Sequence, residues 1–62
     1  MISYNVGDTI QYRDFGGNLR TVLVSGREEN IKNDEPGFFG TMEDDMGVWG
    51  YDDQIVRVVS SK

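Results

Sequence analysis

Apolar side chains recur every second residue in this chain, in short bursts separated by Gly, Asn, Asp and Pro, and that period belongs to strands rather than helices. In the first burst, Thr9–Arg13, Ile10 and Tyr12 share one face while Thr9, Gln11 and Arg13 share the other. Val6, Gly7 and Asp8 lead into it as a turn. Residues 14–18 follow as a tight reversal, since Gly16 and Gly17 tolerate positive φ. The second burst, residues 19–25, puts Val22 and Val24 on one face and Thr21 and Leu23 on the other. Both faces are partly apolar, as expected of a strand covered on two sides. Between 26 and 37 the alternation stops, with charged residues and Asn surrounding a single Ile31. This stretch reads as one long loop with at most a helical turn over residues 27–31, which Asn33 and Pro36 would end. A third strand covers residues 37–43, where Phe38 and Phe39 take opposite faces and Gly40 permits a bend or a close approach. Glu43, Asp44 and Asp45 make an acidic turn before a fourth strand, residues 46–51. Asp52, Asp53 and Gln54 then form a short turn of 3-10 type that feeds the last strand, residues 55–59.

The expected fold is therefore all-β, a single domain spanning residues 1–62. Closing five short strands into a barrel removes edges that so small a chain cannot otherwise cover. Val6, Gly7 and Asp8 opening a strand, the glycine turn, the long second strand, Phe39 with Gly40, and the one-turn kink after Tyr51 together resemble the SH3-like barrel superfold. Residues 32–40 and 48–56 are also similar to segments of short uncharacterised bacterial proteins. The resemblance implies a five-stranded barrel and carries no function with it. The eukaryotic SH3 peptide-binding pattern is absent: there is no Ala-Leu-Tyr-Asp-Tyr run, no tandem tryptophan and no proline in the kink. Recognition of proline-rich peptides is accordingly not expected.

Composition narrows the chemistry. With no His and no Cys there is no imidazole base, thiol nucleophile, disulfide or Cys/His zinc site. Six basic residues (Arg13, Arg20, Arg27, Lys32, Arg57 and Lys62) stand singly against eleven acidic ones, a net charge of −5 and a pI near 4.3. Direct nucleic-acid binding is not expected, because phosphate contacts need clustered Lys and Arg. No apolar run approaches the roughly 18 residues of a membrane-spanning helix, and residues 1–6 lack the character of a secretory signal. A cytoplasmic protein, monomeric or weakly oligomeric, is the expectation.

The carboxylates of Glu43, Asp44, Asp45, Asp52 and Asp53 do not follow the alternating spacing of a calcium loop. No metal and no cofactor is expected. General acid–base work needs a pocket that separates two pKa values, and a domain of this size leaves little room for one. No catalytic residues are assigned, and the protein is not expected to be an enzyme. Its seven aromatic residues exceed what one small interior takes. Trp49 and Tyr51 lie two apart on one strand and so share a face; with Phe39 and Val48 turned inward, both rings point outward beside Asp52 and Asp53. Tyr12 and Phe15, with Asp14, flank the glycine turn and extend that surface. Ring faces attract Lys and Arg, and carboxylates neutralise them, so the expected function is docking of a protein or basic peptide. The alternative is a small acidic inhibitor or nucleic-acid mimic that covers a basic groove on another protein.

Overall fold

A computed structural model describes residues 2–61. Met1, where the N-terminal segment starts, and Lys62, the last of the six basic residues, lie outside the described residues. Five antiparallel strands form one sheet: β1 (Thr9–Arg13), β2 (Leu19–Lys32), β3 (Glu35–Met42), β4 (Gly47–Tyr51) and β5 (Ile55–Ser60). A 3-10 turn over Asp52–Gln54 joins β4 to β5, and no helix is long and apolar enough to cross a membrane. The strand order is β4-β3-β2-β1-β5. Among the described residues no ladder joins β4 to β5, so the expected barrel closure is not formed by strand pairing.

The long loop expected over residues 26–37 does not exist. β2 runs through it to Lys32, pairs Lys32 with Glu35, and turns back in two residues, Asn33 and Asp34. Both have positive φ, 56° and 60°, as a two-residue type I′ hairpin requires. Asn30 braces the turn by exchanging two side-chain hydrogen bonds with Asp34: its Nδ2 donates to Asp34 Oδ1 and its Oδ1 accepts from the Asp34 amide, both at 3.0 Å. The helical turn allowed over 27–31 is likewise replaced by strand.

Alternation explains the core. Ile10, Tyr12, Val22 and Val24 point inward from β1 and β2, joined by Tyr4, Phe38 and Ile55, with Val48, Val58, Met42 and Ile2 packed around them. Phe38 is fully buried and meets Tyr12 edge-on at 5.2 Å and Tyr4 at 6.2 Å. The orientation expected for the third strand is thus reversed at one position: Phe38 is inside, and Phe39 is outside and 40% exposed. Val48 does face inward. Register explains the reversal, because inward-facing Val24 pairs with Gly40, and alternation along β3 from Gly40 turns Phe38 inward and Phe39 outward; Gly26 then pairs with Phe39, leaving Ser25 as an extra residue in β2. Past this bulge the Phe39 ring lies across Gly26, where a Cβ would come within 2.1 Å of it.

Tyr4 ties the N-terminal segment to the far end of the sheet. Its hydroxyl donates to Asp52 at 2.5 Å, while Arg27 lies 4.3 Å above its ring and donates to its carbonyl at 2.8 Å. Burial first, and the hydrogen bond to Asp52 second, push the Tyr4 phenol up to about 12, with Arg27 acting in the opposite direction. An unfolded tyrosine titrates near 10. The folded form therefore holds this proton more tightly, and the associated stability is full below about pH 10 and lost as pH rises through about 12. Urea midpoints measured from pH 8 to 11.5 are expected to fall more steeply for the wild type than for Tyr4→Phe. Parallel slopes would show that Tyr4 contributes nothing to the alkaline loss.

Candidate functional site

Three rings meet on the outer face of β4. Trp49 and Tyr51 stand edge to face at 5.4 Å, because Val48 and Gly50 take the inward positions between and before them. Phe15 reaches them from the β1–β2 turn, 5.4 Å from Trp49 and 6.1 Å from Tyr51. Phe15 is 66% exposed, whereas Trp49 and Tyr51 are half-buried. What covers Trp49 is this cluster and the hairpin tip rather than the core. The rings touch one another at tilted to perpendicular angles. They form a platform, without a slot between them for a cation to enter.

Two polar side chains hold the platform together. Asp14 folds the turn that carries Phe15: its Oδ1 accepts from the amides of Gly16 and Asn18 at 2.9 and 2.8 Å, and its Oδ2 from Arg20 Nε at 3.0 Å. The Asn18 amide first, and Arg20 next, hold its carboxyl below the usual carboxylate range. Gln54 links the other side. Its Oε1 accepts from the Tyr51 amide and its Nε2 donates to the Arg13 carbonyl, both at 2.8 Å, which fixes the end of β4 against the end of β1. Beside Phe15 and Tyr51 opens a groove of about 450 Å³, bordered also by Arg13, Asp14, Asp53, Gln54, Ile55 and Val56. Val56 lines it because β5 bulges against β1: Gln11 pairs with Arg57 and Tyr12 with Ile55, so Val56 is left unpaired and turned out.

Of the seven residues expected at the site, Phe15, Trp49 and Tyr51 form the platform, and Asp53 stands exposed on the groove. Asp14 is present as the residue that shapes the turn, its oxygens already engaged. Tyr12 and Asp52 are elsewhere. Tyr12 is 2% exposed and packs on Phe38, because it shares the inward face of β1 with Ile10; Asp52 is 5% exposed and accepts the Tyr4 hydroxyl. Three contributors were not anticipated: Gln54, and at the tip of the β2–β3 hairpin Lys32 and Asn33, which reach Trp49 and Tyr51. The adjacent Asn33 and Asp34 carried the signal for that tip, being the residue types that enter left-handed turns most readily.

Exposed carboxylates gather at two places, around the β2–β3 tip and in the turn of Glu43, Asp44 and Asp45, at opposite ends of β3. Among the described residues no group of three or more acidic side chains is placed to share a metal ion. Comparison of the chain with protein-family models, curated proteins and solved structures gives no match.

Proposed function

We propose that this chain is a non-catalytic interaction module of the SH3-like kind, which docks a protein or basic peptide on the Phe15–Trp49–Tyr51 platform and the adjoining groove. One observation carries the proposal: an exposed phenylalanine is held by a dedicated carboxylate-braced turn against a Trp–Tyr pair from another strand. Phe15 adds nothing to the core, yet Asp14 spends three hydrogen bonds on the turn that presents it. Large rigid rings with a polar handle are the side chains that anchor protein interfaces. Asp53 and the net charge of −5 favour a basic partner. The strand order and the 3-10 turn before β5 support the SH3-like assignment. Acidic mimicry is the less favoured reading because the carboxylates are divided between the two ends of β3. A mimic of a phosphate backbone needs them in one row.

Calorimetric titration with arginine- and lysine-containing peptides, against glutamate-containing controls, tests the proposal. Trp49→Ala and Phe15→Ala are each expected to weaken basic-peptide binding about thirtyfold, the scale of an interface hot spot. Their circular dichroism should remain that of the parent, since neither ring belongs to the core. Binding that survives both substitutions but collapses between 50 and 500 mM salt would support charge mimicry instead.

A further inference from the structure

The indole of Trp49 does not stand open in the free protein. Lys32, the last residue of β2, holds its ammonium 5.4 Å from the ring centroid, within the roughly 6 Å over which a ring face attracts a cation. The next residue, Asn33, donates through Nδ2 to the Tyr51 hydroxyl at 3.2 Å. Two consecutive residues of the hairpin tip thus engage two neighbouring rings of the platform. Lys32 makes no ion pair among the described residues, although Glu35 is its partner across the ladder. Its ammonium lies over the ring and not against the carboxylate opposite.

We propose that Lys32 is a tethered stand-in for the cation of the ligand, which an incoming basic peptide must displace from Trp49, and that the site takes arginine in preference to lysine. The inference rests on the docking surface proposed above. A side chain attached to the same hairpin competes at an effective concentration in the millimolar range or higher. A lysine from a peptide exchanges one ammonium for another over the same indole, a smaller net gain than an arginine obtains. An arginine is different chemistry. Its guanidinium is planar, more weakly hydrated and stacks flat on an aromatic face, so replacing Lys32 with it is a net gain. The displaced Lys32 has Glu35 across the ladder to turn to, so displacement leaves no charge stranded. A peptide seated this way lies over Trp49 and continues past Phe15 and Tyr51 into the groove that Asp53 borders.

Nuclear magnetic resonance titrations of the wild type and of Lys32→Met test this, using two Gly/Ser pentapeptides that differ only in a central arginine or lysine. The methionine keeps the length of the stem and removes the charge. For the wild type, the arginine peptide is expected to bind two- to fivefold tighter, roughly the factor an exposed cation–ring contact supplies. Lys32→Met should tighten both peptides by a common factor and leave the gap between them unchanged, because a tethered competitor weakens equally every ligand that displaces it. The ε-methylene signals of Lys32, displaced by the indole in the free protein, should return to an ordinary lysine position as the arginine peptide saturates. If both peptides bind the wild type equally the selectivity is overturned, and if Lys32→Met tightens neither peptide the stand-in role of Lys32 is overturned, while the docking surface stands. If neither peptide shifts Phe15, Trp49 or Tyr51 in either protein, the docking surface is overturned and the selectivity with it.

Discussion

Phe38→Ala should leave this domain largely unfolded at 25 °C. Among the described residues Phe38 is the one aromatic ring that meets both buried tyrosines, and it is fully inaccessible to solvent. Removing a buried phenylalanine costs about 3–5 kcal/mol through lost transfer energy and the cavity left behind. A 62-residue chain without a disulfide has a total stability of only about 3–5 kcal/mol from its core. The loss is thus comparable with the whole. Denaturant titration with tryptophan emission and circular dichroism would measure it. Phe39→Ala supplies the internal comparison, because Phe39 is 40% exposed and should cost far less. Equal losses for the two would mean that the inward face of β3 has been assigned to the wrong phenylalanine.

Gly40→Ala is the second large effect, and its cause is excess rather than absence. Gly40 pairs with Val24 at the centre of the sheet, where a Cβ would sit 2.1 Å from the carbonyl oxygen of Leu23 and 2.8 Å from a methyl of Val22. The first neighbour is backbone and cannot rotate away. Relief requires β2 and β3 to move apart at their most buried point, so a cost of about 2–3 kcal/mol is expected, near the upper end for overpacking. Gly47→Ala is the control, since a Cβ there meets nothing within 4 Å. Thermal melts of the two variants should separate clearly. Coincident melts would show that the β2–β3 spacing yields to one methyl group at little cost.

The contrast between Phe38 and Phe39 shows where the sequence is legible and where it stops. Alternation says that adjacent phenylalanines take opposite faces, and it places Ile10 with Tyr12 and Val22 with Val24 correctly. It cannot say which phenylalanine goes in, because that depends on Gly40 standing opposite the inward-facing Val24, which is a matter of pairing. The same limit explains the missing loop. Beyond Ser25, β2 has left β1, whose pairing covers only residues 19–23, and is paired with β3 alone. With little core left to cover, Glu28, Glu29 and Asn30 are all exposed and the period of two disappears, although the strand continues. Backbone pairing and the Asn33–Asp34 turn hold it, and neither leaves a hydrophobic trace.

The three rings of the platform are readable for the same reasons. Trp49 and Tyr51 share a face by period alone, and Phe15 stands out as a large ring within a glycine turn. Tyr12 was drawn into the site by its nearness to that turn, although its alternation with Ile10 already pointed inward. Asp52 looked like its neighbour Asp53, and only the distant Tyr4 distinguishes them. Contacts such as Lys32 with Trp49 join residues far apart in the chain, and local pattern carries no information about them.

The ladder order also bears on how quickly this sheet can assemble. Three of its four pairings join strands adjacent in the chain, and the tightest closes between Lys32 and Glu35. The fourth pairs residue 10 with residue 58. Loop-closure entropy rises by about 0.6 kcal/mol for each doubling of the intervening chain, so bringing β5 to β1 directly costs about 2–3 kcal/mol more than closing that hairpin. Pairing with β1 rewards β5 only after this cost has been met, whereas the β2–β3–β4 meander grows by short local steps. The search of β5 for β1 is the non-local part of folding, and it sets the contact order of an otherwise local chain.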